Sequence, residues 1–198
     1  MPKQQAWDTT AGQLVLLFVL SLLAAPVEFL AHEGAHYVAA RGFGLAASLH
    51  FDQVDLPGAE RLGNLQRLVI AAAGPAVDWI VGLVGVLLVV ARFTPMRLVL
   101  AIWVARPLQF LPSLVGVGVD YLGLGGSLQG SDEVTMARAL SLPDHSVVWL
   151  ELVVAIPLLI LIVLAIPAGR RLVVLPVMSV GVLAGWAGWL VLGPYVLP

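Results

Sequence analysis

The chain has 198 residues, of which 60% are hydrophobic and 11% charged, far outside the range of soluble globular domains, so lipid is the expected solvent for most of it. Ten Lys and Arg against twelve Asp and Glu give a net charge of -2 with no basic run, which excludes a phosphate-tracking partner such as nucleic acid. There is no cysteine, so disulfides and thiolate-held metals are excluded and any metal must be held by His and carboxylates.

A membrane-crossing helix needs about 20 mostly apolar residues. The first such stretch runs from Gly12 to Ala40. Only one lysine precedes it, and the apolar run continues past any plausible cleavage site, so it reads as a retained span and not as a removable signal. Further spans are expected near Leu68–Ala91, Leu98–Val119, Val147–Ala168 and Leu172–Leu197. The expected fold is an all-α membrane bundle of about five spans forming one domain over residues 1–198, with Pro26, Pro75, Pro107, Pro157, Pro167 and Pro176 predicting kinks.

Two long polar connections, Arg41–Arg67 and Asp120–Ser146, are separated by two spans and so fall on one side, where chemistry is expected. In the first, Leu45, Ala47, Leu49 and Phe51 alternate with smaller or polar residues before Val54-Asp55-Leu56-Pro57-Gly58, which predicts a short strand or hairpin. The second starts glycine-rich and passes through Gly130-Ser131-Asp132-Glu133 into a short helix ending near Leu142-Pro143. Basic residues number five on the N-terminal side (Lys3, Arg92, Arg97, Arg170, Arg171) and four on the other (Arg41, Arg61, Arg67, Arg138), a small bias toward a cytoplasmic N-terminus.

The chemistry concentrates in His32-Glu33-Gly34-Ala35-His36. Histidines four apart on a helix share one face, one turn apart, and can share one metal ion. Glu33 is rotated by about 100° from His32, beside the ion and not on it, where it can take a proton from water and pass it to a leaving amine. Zinc suits such a site because it brings the pKa of a water it holds to about 7. The competing reading is a solvated helix end, but an ionised carboxylate in the bilayer centre costs about 2.5–3.5 kcal/mol, a penalty that points to function.

A catalytic zinc takes three protein ligands and keeps one position open. Asp132, Glu133 and Asp120 are third-ligand candidates on the correct side, with Glu28 and Asp78 inside spans. Glu28 lies on the His face, but the stretch to His36 covers about 12 Å of helix, so its expected role is an acceptor for an imidazole N–H. Asp132 reads equally as part of a helix cap. Asp78 is a functional candidate as an intramembrane carboxylate, or else the ion-pair partner of Arg106. His50 and His145 read as ordinary loop residues, and Trp149, Trp186 and Trp189 as interfacial or packing aromatics.

Residues 32–44, His-Glu-Gly-Ala-His-Tyr-Val-Ala-Ala-Arg-Gly-Phe-Gly, resemble the HExxH helix and exit of the site-2 protease family of membrane-embedded zinc peptidases. Ala73-Gly74-Pro75-Ala76-Val77-Asp78 is similar to that family's Ala-Gly-Pro-x-x-Asn segment, Gln109-Phe110-Leu111-Pro112 to its Asn-Leu-Leu-Pro, and Ser131-Asp132 to the segment supplying its third ligand. The resemblance covers residues 12–142 as a catalytic core, and leaves the spans over 147–197 unmatched. Asp78 and Gln109 stand where Asn is usual, and Glu133 where Gly is usual. The resemblance implies a Zn2+ site of His32, His36 and Asp132, with Glu33 catalytic and Asp78 and Gln109 binding substrate or organising the site.

The function this implies is intramembrane endopeptidase activity on membrane-spanning or membrane-associated substrates, by a multi-pass protein of a plasma or inner cell membrane. A helical substrate must be unwound to expose an amide, and an edge within Leu45–Leu56 could hold the extended segment by strand addition. With no recognisable soluble sensor domain, selection falls to the bundle, its loops or a regulatory membrane partner. The alternative is a non-proteolytic zinc-binding membrane subunit or transporter, in which Glu33 is not needed.

Overall fold

The first helix is broken neither by Pro26 nor by its polar motif: α1 runs unbroken over Ala11–Gly42, with Thr10 as N-cap accepting from the Gln13 N–H. At 1.5 Å per residue it is about 48 Å long, more than the about 30 Å of a hydrocarbon layer, so one end extends beyond the layer. It closes at Gly44, whose positive φ lets the Leu45 N–H reach back to the Ala40 carbonyl. The computed structural model describes residues 10–91, 94–102, 115, 117–119, 122 and 131–198.

After α1 comes the expected hairpin, reduced to two-residue strands: β1 (Ser48–Leu49) and β2 (Val54–Asp55) pair antiparallel, Ser48 opposite Asp55 and Leu49 opposite Val54. Next are α2 (Asn64–Ala91) and α3 (Pro95–Ile102), then α4 (Asp132–Ala139), α5 (Ser146–Ala165) and α6 (Arg171–Val196). Among the described residues, α1, α2, α5 and α6 with its lead-in turn are long and apolar enough to cross a membrane. Of the expected Leu98–Val119 span, α3 holds only the start. Most of the remainder, with Arg106, Gln109 and Asp120, lies outside the described residues.

The outward faces carry bare aliphatic side chains such as Val15, Val38, Leu87, Val153 and Leu183, an apolar belt that suits lipid and not water. Lipid supplies no hydrophobic drive between helices, so they must associate through close packing of small residues. α6 lies parallel to α1 and meets it through Gly181 and Gly185, beside Ser21 and Leu22. Pro26 removes the donor that the Leu22 carbonyl would otherwise have, and Gly185 is where α6 lies against that carbonyl. The freed carbonyl and the glycine are two halves of one contact.

The main apolar core joins Leu17 and Ala24 of α1, Val86 and Val89 of α2, Leu98 of α3, Ile162 and Ile166 at the end of α5, and Val174 and Met178 of α6. It fills the end of the bundle away from the His pair. At the other end, the hairpin tip is latched to α6: Trp189 Nε1–H donates to the Phe51 carbonyl at 3.0 Å, and the Phe51 N–H donates to the Leu197 carbonyl at 3.1 Å. His50 Nδ1–H donates to the Pro198 carbonyl at 2.7 Å, so His50 and Trp189 serve structure, as expected of a loop polar residue and a packing aromatic.

A methyl at Gly185 would meet backbone, which cannot swing aside, whereas Gly188 has open space. Gly185→Ala is expected to lower stability in detergent by about 1–3 kcal/mol, and Gly188→Ala to stay within about 0.5 kcal/mol of the parent. Thermal unfolding of the two variants checks this, and equal melting would rule out the close α1–α6 contact.

Candidate metal centre

His32 and His36 are both buried, and their rings meet edge to face with centroids 4.8 Å apart. α2 runs antiparallel beside them and touches them at every fourth residue. The His36 Nδ1–H donates to the Ile70 carbonyl at 2.6 Å, and the His32 Nδ1–H donates to Asp78 Oδ2 at 2.6 Å. Between these two acceptors sits Gly74. A Cβ there would fall against His36 Nε2 and 2.7 Å from His32 Nε2. Residues 70, 74 and 78 form one stripe of the helix, and only a residue without a side chain leaves room for both imidazole tips. Pro75 follows directly and deprives the Ala71 carbonyl of its intrahelical donor.

Asp132 arrives from the far side. α4 begins there because Ser131 caps it, its Oγ accepting from the Val134 N–H at 3.3 Å, so the cap role considered for Asp132 belongs to its neighbour. Val134 packs with Val117, Val148 and Leu152, fixing the helix against α5. Arg138 reaches over to Asp144 at 2.7 Å, bracing the following turn. The Asp132 carboxylate is thereby aimed inward, with Oδ2 at 3.1 Å from both His32 Nε2 and His36 Nε2. Burial pushes the Asp132 carboxyl up, but the two imidazoles, when their Nε2 atoms carry protons and donate to it, outweigh burial and hold it well below the usual carboxylate range.

The two Nε2 atoms are themselves 3.1 Å apart, so the three atoms make an equilateral triangle. Each imidazole spends its Nδ1–H on an α2 acceptor, which in the neutral ring leaves the Nε2 lone pair facing the triangle. Two such lone pairs and a carboxylate oxygen converging on one point could hold a cation. Tetrahedral zinc with bonds of about 2.0–2.1 Å spaces its ligand atoms by about 3.3–3.4 Å, close to the spacing found. Among the described residues, His32, His36 and Asp132 are the group that can hold a metal ion.

The other sequence candidates are placed differently. Glu33 is half-buried next to the triangle but outside it, within electrostatic reach of His32, His36 and Asp132, and also of Asp52 in the hairpin tip. Glu133 is buried without joining the ligand group, and Asp120 and Gln109 lie outside the described residues. Glu28 does not take the outer role expected of it, because both Nδ1 positions are already occupied from α2. Asp78 turns to His32, while Arg106, the partner considered for it, lies outside the described residues. The Ile70 carbonyl was not expected, since a backbone acceptor leaves no mark on residue type. The four-residue spacing of 70, 74 and 78 was the available signal. None of the protein-family models, curated proteins or solved structures compared with this chain matches it.

Two substitutions test the geometry. In Gly74→Ala the imidazole tips can rotate away, so the helices should persist while zinc affinity falls at least about 100-fold, the upper range for disturbed ligand orientation. Asp132→Asn leaves the Ser131 cap in place and should lose more than the about 10–100-fold typical of outer-shell changes. Competition with a chelator measures both, and full zinc affinity in either variant would refute the triangle as a metal site.

Proposed function

We propose that this chain is an intramembrane zinc-dependent endopeptidase, acting on peptide bonds of membrane-spanning or membrane-associated substrates from within a plasma or inner cell membrane. The observation that carries the reading is the equilateral His32–His36–Asp132 triangle with Glu33 of the same HExxH turn beside it. Three protein ligands with a carboxylate held off the ion is the donor set of a hydrolytic centre with an open position. The likeness of residues 32–44 and 73–78 to site-2 proteases points the same way.

Zinc bound there would supply Lewis acidity toward a carbonyl oxygen and a water molecule. The chain supplies the rest. Asp132 and the two imidazoles orient the centre, and the surrounding helices limit water, which strengthens every charge interaction in the site. Glu33 accepts a proton from the attacking water as its oxygen bonds to the carbonyl carbon. It then delivers that proton to the amide nitrogen as the C–N bond breaks, leaving a free acid and a free amine.

An extended substrate segment needs backbone partners. His50 N–H bonds inward to the Gln53 carbonyl, so by strand alternation Leu49 and Phe51 face outward. The Phe51 groups are taken by Trp189 and Leu197, which leaves Leu49 and the residues before it as the edge for strand addition.

Glu33→Gln separates this reading from a zinc-binding subunit or transporter. The variant should keep one zinc per chain and cleave a membrane-spanning peptide about 100- to 10,000-fold more slowly, as loss of a general base does. Zinc content by metal analysis and cleavage in proteoliposomes measure the two halves. Near-normal turnover, or no turnover by the parent protein, would defeat the peptidase assignment.

A further inference from the structure

We infer that Asp78 is a positioning residue of the metal centre, holding His32 through its Nδ1–H and adding a second negative charge beside the ion. The inference rests on the metal site and not on the peptidase reading.

Three observations carry it. The Asp78 carboxylate oxygen is 2.6 Å from His32 Nδ1, and both side chains are almost wholly buried, at 1% and 3% exposed. Asp78 belongs to the same α2 stripe that supplies the Ile70 carbonyl to His36, so the two imidazoles are oriented by one rigid helix but with unequal partners: a neutral carbonyl for one and a carboxylate for the other. Gly74 lies between them, and fixes how near α2 can stand.

The chemistry follows from the pairing. An acceptor at Nδ1 commits the proton to that nitrogen and aims the Nε2 lone pair at the ligand triangle, and a carboxylate does so more strongly than an amide because the hydrogen bond is charge-assisted. It also makes the ring a more electron-rich ligand. Asp132 within the triangle and Asp78 behind it bring negative charge to a divalent cation, with Glu33 at its side, in a medium where an uncompensated charge is costly. An asparagine in place of Asp78 would keep an acceptor of the same shape and lose the charge. A purely apolar side chain would lose both.

The test uses the full chain in detergent and compares the parent with Asp78→Asn and Asp78→Val. Zinc affinity is measured by chelator competition, and the visible absorption of the cobalt-loaded protein reports the geometry at the ion. Within the range known for outer-shell partners, Asp78→Asn should bind zinc about tenfold more weakly and Asp78→Val about 100-fold. Cobalt absorption should change in the same order. A role in packing alone would lower the melting temperature of the metal-free protein and leave affinity per folded molecule unchanged. A role in gripping substrate would raise KM and leave affinity and spectrum unchanged. Either pattern overturns the proposal. Asp78→Asn decides the matter if Asp78→Val does not fold, since parental affinity in the asparagine variant also overturns it. Failure of the parent to bind zinc would instead remove the metal centre itself, a result distinct from any of these.

Discussion

The approach of α2 to α1 at Gly74 governs the arrangement at this end of the molecule. With a side chain at that position, the imidazole tips and the helix backbone could not share the same space. Because the glycine lets α2 stand so close, the Ile70 carbonyl and the Asp78 carboxylate come within 2.6 Å of the two Nδ1 atoms, and both rings are turned to face Asp132. Pro75 beside Gly74 does not interrupt α2, which continues unbroken to Ala91. A single small residue thus permits the approach that sets the orientation and the spacing of the two imidazoles.

That approach is only as precise as the frame behind it. The opposite end of the bundle is an apolar core in which five helices meet, and the α1–α6 contact there relies on small residues and on a carbonyl released by Pro26. This is the packing expected where lipid gives helices no hydrophobic reason to associate. The polar end is tied down differently, by hydrogen bonds from the α6 end to the hairpin tip. Apolar packing therefore carries the frame, and directed polar bonds place the parts next to the His32–His36–Asp132 group. Divided in this way, the protein can hold ionisable groups at one end without weakening the core at the other.

Much of this was legible before the structure. The four described long helices lie within a few residues of their expected bounds, because runs of about 20 apolar residues have only one stable state in lipid. The His32–Glu33–His36 turn followed from helical geometry alone, since residues four apart must share a face. The hairpin was visible in its alternation and in Pro57-Gly58, and α4 in its polar lead-in. The outer role expected of Glu28, and the cap considered as the alternative to the ligand role of Asp132, miss for one reason. Each was inferred from neighbours in sequence, while the imidazole partners came from α2 and the cap came one residue earlier.

By itself, then, the sequence determined the four long apolar helices that the structure describes and the His32–Glu33–His36 turn, because each depends on local periodicity or on solvent. Only the tertiary structure decided that Asp132 and not Glu133 joins the His pair, that Asp78 backs His32, and that Gly74 makes room for both imidazole tips. Those outcomes depend on distances between residues far apart in the chain, up to 100 positions for His32 and Asp132. Such distances are set by how closely two helices can pack, a property of the pair that neither helix carries in its own pattern.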